Sequence, residues 1–200
     1  SRTDPWQGEL TLEAATKGLP PGKKLLAAIE TPLGTIHCEL LPKSAPKTVA
    51  SFVGLARGQR PWRDPSSGLW QEHQPFFDGL AFHRVIPTFM IQGGDPRSRT
   101  YSDGLLGTGD PGYKVPDEVD KALKFDRPGR MAMANSGPGT DSGGSQFFIT
   151  EAPKAYLNGG YTIFGQCEDR QVVKAIANAP KGRADKPEEP VTMKVVITRK

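Results

Sequence analysis

The sequence predicts a mainly β domain, a closed eight-stranded antiparallel barrel capped by two helices. Three observations carry this. Glycine and proline, 23 and 19 of 200 residues, exceed a fifth of the chain, a composition of many turns between short strands. Eight short apolar runs are separated by Gly, Pro, Asn and Asp clusters, and only two segments repeat at helical spacing. Closing such strands on themselves removes the sheet edges that invite pairing with another chain.

Taken in order, residues 1–23 mix polar residues with Gly18, Gly22 and a Pro20-Pro21 pair, and are read as an N-terminal extension ahead of a domain spanning 24–200. The apolar run from Leu25, a turn at 31–34 and the alternation Ile36, Cys38, Leu40 against His37 and Glu39 read as a hairpin. Ser44 is the expected cap of a helix over 45–57, with Val49, Phe52, Val53 and Ala56 at helical spacing and Gly58 as its stop. The turn-rich stretch between Gly58 and Phe76, carrying Trp62 and Trp70, is read as a surface insertion whose tryptophans fold back onto the barrel, with an apolar patch for a partner as the alternative. Strands follow near 80–86, 89–93, 130–135, 146–150, 161–167 and 191–198, and a second helix over 171–179 ends before Pro180.

Several function classes drop out early. The 26 basic and 22 acidic residues are scattered rather than striped, so no nucleic-acid partner is expected. No run approaches the roughly 20 apolar residues of a membrane span, and the N-terminus lacks a signal-peptide core; a soluble protein without a membrane partner is expected. Cys38 and Cys167 are too few for a thiolate metal site. Each is read as a buried inert thiol, with a single bridge as the alternative in an exported protein. Gly107 to Gly112 matches G-x-G-x-x-G, but Pro111 and Pro116 forbid the helix that a dinucleotide site requires. His37, His73 and His83 lack metal-ligand spacing, and the hydroxyl-rich stretch 139–145 lacks the G-x-S-x-G of a nucleophile elbow. Neither metal nor cofactor is expected.

The informative residues are polar groups set in apolar runs: Arg84 and Gln92 within 82–95, Asn135 within 131–137, and Gln146 at the head of 145–150. Each costs roughly 1–3 kcal/mol if buried unpaired. Any one can be satisfied by the loops around it; four together beside aromatics point to a groove that hydrogen-bonds a guest. Side-chain amides offer donors and acceptors at once and suit a neutral polypeptide.

At these residues the sequence resembles the cyclophilins. Residues 82–95 look like their F-H-R-x-I-P-x-F-M-x-Q-G-G-D signature, and 133–140 with 145–150 look like their M-A-N-x-G-x-x-T and S-Q-F-F-I-T blocks. The likeness extends to 45–52 and 164–166 and covers about 25–198. It implies a peptidyl-prolyl cis-trans isomerase that assists protein folding, acting on proline-containing polypeptides from the outer face of an eight-stranded barrel. Arg84 matches the catalytic arginine. Phe89, Met90, Phe148 and Leu157 match the walls of the proline pocket, and His83, Gln92, Ala134, Asn135 and Gln146 match the groove that holds the peptide backbone. Tyr156 stands where many members carry the tryptophan that contacts cyclosporin, implying reduced affinity for that drug, and Tyr161 stands where many carry a histidine. Tyr161 and the spacing of the insertion resemble bacterial forms, which leaves the compartment open between a bacterial cytoplasm and a periplasm; a monomer is expected. The competing reading is an idle proline-peptide binding module of the same fold, against which the intact Arg84 argues. Rotation transfers no proton, so His83 is assigned packing and orientation rather than general-base work.

Overall fold

The computed structural model describes residues 10–101 and 104–200. After a short helix α1 (Leu12–Thr16) come β1 (Leu25–Thr31), β2 (Gly34–Leu40), α2 (Pro46–Ala56), the two-residue strands β3 (Trp62–Arg63) and β4 (Trp70–Gln71), β5 (Arg84–Ile86), β6 (Met90–Gly93), β7 (Arg130–Met133), β8 (Phe147–Thr150), β9 (Ile163–Cys167), α3 (Arg170–Ala177) and β10 (Lys194–Arg199). Apart from the β3–β4 hairpin, the strands form one eight-stranded antiparallel sheet ordered β10-β1-β2-β9-β7-β8-β6-β5.

The expected full closure takes a looser form. No ladder joins the outermost strands β5 and β10 among the described residues. The segments leading into them meet instead at one isolated bridge, Ala81 to Thr192. There Phe82 N donates to Val191 O at 3.0 Å, Met193 N to Leu80 O at 2.8 Å and Gly79 N to Met193 O at 2.9 Å. The sheet is curled far enough for its two ends to touch, leaving a seam.

Strand alternation divides the two faces. Across β5, β6, β8 and β7 the register partners Val85, Ile91, Ile149 and Met131 are all fully buried and fill the interior. Helix α2 lies over this core: Phe52 packs against Phe77, Phe147 and Phe164 with ring centroids 4.9, 5.8 and 5.3 Å away. Its cap differs from the expected one. Ala45 occupies the N-cap without a side-chain bond, and Ser44 Oγ donates to Asp120 instead. The free N–H groups of Lys47 and Thr48 are taken by the Glu118 carboxylate at 3.0 and 2.7 Å, an anion placed where the helix dipole favours one. Helix α3 buries Val173, Ile176 and Ala177.

Part of the segment read as an extension packs on the domain. Leu10 and Ala15 belong to the core, and Arg57 donates to Ala15 O and Lys17 O at 2.6 and 3.0 Å. Residues 1–9 of that segment lie outside the described residues. In the insertion Trp62 is buried, donates to Gln74 O at 3.1 Å and sits edge-on to Phe76, so it folds back as expected. Trp70 is half-buried and stacks on Tyr113 at 6.4 Å.

The cysteines depart from the inert-thiol expectation: Cys38 and Cys167 are joined in a disulfide. They are directly opposed in the β2–β9 ladder, a relation that spacing 129 residues apart in sequence does not reveal.

Candidate active site

The same alternation that buries Val85 and Ile91 turns their neighbours outward. Arg84 is the register partner of Gln92, Gln92 of Phe148, and Phe148 of Ala132, so four strands contribute one row of side chains to the outer face. A second row, Ile86, Met90 and Thr150, lies beside it. On this face Met90, Phe148, Leu157, Ile163, Ala132 and Phe125 form a small apolar cluster separate from the core.

Above that cluster is a cavity of about 150 Å³ lined by Arg84, Phe89, Met90, Gln92, Ala134, Asn135, Phe148, Leu157 and Tyr161. Its size and apolar floor suit one small ring. Of the residues singled out by sequence, His83, Gln146 and Tyr156 do not line it. Gln146 lines the adjoining polar cavity of about 360 Å³ together with Gln92, Ala134 and Asn135. Tyr156 is 71% exposed on the rim, its ring 6.1 Å from that of Phe89. Tyr161 stands edge-on to Phe148 at 5.3 Å.

A hydrogen-bond chain runs under the groove. Gln146 Nε2 donates to Gly109 O at 2.9 Å, Gln92 Nε2 to Gln146 Oε1 at 3.1 Å, and Arg84 Nη1 reaches Gln92 Oε1 at 3.5 Å. That last contact is long, so the exposed guanidinium keeps most of its donor capacity for a guest. Asn135 behaves differently. Its Nδ2 donates to Gly160 O at 2.9 Å and its Oδ1 accepts from Gly137 N at 3.1 Å, so the side chain shapes its own loop.

His83 is buried, and among the described residues neither ring nitrogen has a partner at hydrogen-bond geometry. Burial pushes its imidazole below the ordinary histidine pKa; the Asp95 carboxylate opposes this and the Arg84 charge adds to it.

Sequence reasoning missed the supports. Phe125 is 1% exposed and stacks behind Phe148 at 5.9 Å. Its backbone accepts from Lys154 N and donates to Asn158, fixing the turn that presents Tyr156 and Leu157. A lone phenylalanine between Lys124 and Asp126 was the available signal. Asp95, fully buried, accepts from Gly107 N and Gly109 N and so holds the glycine loop in place.

Comparison with known proteins identifies the family. Residues 26–198 match the family model for cyclophilin type peptidyl-prolyl cis-trans isomerase/CLD. The chain is 48% identical to peptidyl-prolyl cis-trans isomerase B of Streptomyces anulatus over 179 residues, covering 88% of this chain and 97% of that one. It is 45% identical to peptidyl-prolyl cis-trans isomerase A of Mycobacterium tuberculosis over 175 residues, covering 85% and 90%. Among solved structures, a Cryptosporidium parvum cyclophilin type peptidyl-prolyl cis-trans isomerase superposes with a TM-score of 0.71 at 31% identity, covering 89% and 99%. The same protein in the presence of the dipeptide Ala-Pro gives 0.70. The outer-face arginine, the ring-sized pocket and these likenesses converge: the chain belongs to the cyclophilin-type peptidyl-prolyl cis-trans isomerases.

Proposed function

We propose that Arg84 is the catalytic residue and that the 150 Å³ cavity holds the substrate proline. The observation that carries this is the register row Arg84, Gln92, Phe148, which sets an exposed guanidinium at the edge of a pocket walled by Phe89, Met90, Phe148 and Leu157.

Rotation about a peptide bond is slow because amide resonance must be broken, at a barrier of about 18–20 kcal/mol. A donor to the lone pair of the prolyl nitrogen withdraws it from resonance, and a guanidinium stays protonated and offers a rigid fork for the purpose. An acceleration of about 10⁵ requires roughly 7 kcal/mol of transition-state stabilisation. One charge-assisted hydrogen bond is worth about 1.5–3 kcal/mol, so Arg84 supplies a part. The remainder comes from a pocket that holds the ring still while Gln92, Gln146 and the backbone near Ala134 and Asn135 grip the chain, binding the twisted peptide better than either planar form. His83, buried and neutral, packs behind Arg84.

The clients are flexible polypeptides with X-Pro bonds, bound by a monomer. Tyr156, in place of an indole, weakens cyclosporin. The Cys38–Cys167 bridge favours an oxidising compartment over the cytoplasm. The deciding experiment for the mechanism is a protease-coupled isomerisation assay on an X-Pro peptide with Arg84→Ala. Turnover at least tenfold lower in a folded protein is expected; turnover at the wild-type level removes Arg84 from the mechanism.

A further inference from the structure

Beside the prolyl pocket the surface opens into a groove of about 950 Å³, and Arg84 and Gln92 line both. The groove runs between Gly104, Leu106 and Gly107 on one side and residues 182–188 on the other. The 182–188 loop is firmly built. Gly182 N donates to Lys186 O at 2.9 Å, Tyr101 OH to Pro187 O at 2.6 Å, and Lys181 Nζ to both Val85 O and Asp185 at 3.0 and 2.8 Å. Ala184 and Asp185 hold consecutive left-handed conformations, φ 56° and 57°. Side-chain-bearing residues keep such angles only where their surroundings over-determine them, and they concentrate at binding sites.

The charges lining the groove are unevenly spent. Asp185 is paired with Lys181, and Lys186 Nζ lies over the Tyr101 ring at 4.2 Å and donates to Tyr101 O. Arg84 and Arg183 line the groove without a carboxylate at ion-pair distance among the described residues. Against these two guanidiniums stands Glu188. An extended chain advances about 3.3–3.6 Å per residue, so a polypeptide leaving the prolyl pocket past Arg84 enters this groove within a few residues.

We infer that the groove is a second arm of the peptide site, in which Arg183 reads an acidic side chain, Asp or Glu, on the polypeptide whose proline occupies the pocket. This rests on the assignment of that pocket to the substrate. Guanidinium suits the task because its fork matches a carboxylate. Being exposed to solvent, the contact discriminates by several-fold rather than by orders of magnitude, and salt erodes it.

The test is a set of X-Pro peptides carrying one Glu, Lys or Ala at successive positions on either side of the X-Pro pair, with kcat/KM measured at low and high salt. At one or more positions on one side, Glu should exceed Lys by about three- to tenfold at low salt. Arg183→Glu should reverse that order and Arg183→Gln abolish it, with turnover of the all-Ala peptide kept. If Arg183→Glu disturbs the loop, seen as lost all-Ala turnover, Arg183→Gln decides. Equal rates for Glu and Lys peptides at every position overturn the inference, as does a preference that survives both variants. Failure of the wild-type protein to turn over the all-Ala peptide overturns the pocket assignment instead.

Discussion

The side-chain amide of Gln92 donates to Gln146 Oε1 at 3.1 Å, and this fixes which end of Gln92 faces Arg84. With its nitrogen committed to Gln146, Gln92 presents oxygen to the guanidinium. Gln146 is itself oriented by donating to Gly109 O. The oxygen that faces the arginine, at 3.5 Å, is thus set by a chain of amides that ends on a backbone carbonyl.

Removing the middle of that chain should cost turnover without unfolding the protein. A hydrogen bond of this kind is worth about 1 kcal/mol, so Gln146→Ala is expected to lower kcat/KM by about fivefold while the melting temperature moves little. Because Gln92 and Gln146 act through one another, the double variant with Gln92→Ala should fall short of the product of the two single losses. Fully multiplicative losses in the isomerisation assay would show that the two amides contact the guest independently.

How far the sequence carried the reading follows from the kind of interaction involved. Arg84 and Gln92 were legible as polar residues set in apolar runs, and Phe148 through the ordered motif around it, because both are local signals; that the three form one row depends on strand register, which is not local. The cap on α2 was misassigned because Ser44 is a good local capper, whereas the carboxylate that does the work, Glu118, lies 70 residues from Thr48 in sequence. Phe125 was missed for a similar reason: its loop carries no periodicity, and only the packed structure sets it behind Phe148. The opposition of Cys38 and Cys167 is a matter of strand order, β2 beside β9, which no local pattern encodes.

His83 gives the stability a pH signature. Its pKa is lowered in the folded protein from the ordinary value of 6.5, chiefly by burial. Above that value both states hold a neutral ring and the residue contributes no pH dependence. As the pH falls through it, the unfolded chain takes up the proton first, so stability declines until the depressed folded-state pKa is reached. Urea unfolding across this window should show wild type losing stability more steeply than His83→Gln. Parallel profiles would mean that burial does not hold the imidazole neutral.

Tyr156 should limit cyclosporin binding. A phenol on the rim, 71% exposed, offers less area than an indole and lacks its N–H donor. In a titration Tyr156→Trp should bind more tightly, by roughly five- to tenfold for one added hydrogen bond and its contact area. Unchanged affinity would show that this position does not meet the drug.

The disulfide closes a long loop, Cys38 and Cys167 being separated by 129 residues, and constrains the unfolded chain accordingly. Replacing both cysteines with alanine should lower unfolding free energy by about 2–4 kcal/mol and leave peptide turnover nearly unchanged, since neither residue lines the groove. Both sulfur-bearing residues are almost wholly buried, so mild reductant should act on the folded protein slowly. Chemical denaturation with and without reductant measures both effects, and identical midpoints would show that the bridge adds no stability.

The two tryptophans of the insertion should separate cleanly from each other and from catalysis. Trp62 is 5% exposed, meets Phe76 edge-on and bonds Gln74 O through its indole nitrogen. Trp62→Ala leaves both a cavity and an unpartnered carbonyl, a loss of about 3–5 kcal/mol. Trp70 is only half-buried, and its ring stacks on Tyr113, so Trp70→Ala should cost about 1 kcal/mol. Neither ring lines the prolyl pocket or the adjoining grooves, so short-peptide turnover should stay close to wild type wherever the variants remain folded. Thermal melts and turnover on one preparation of each variant check all three statements together. A Trp62→Ala protein that melts like wild type would place that ring outside the core, and a large fall in turnover for folded Trp70→Ala would tie the insertion to the active face.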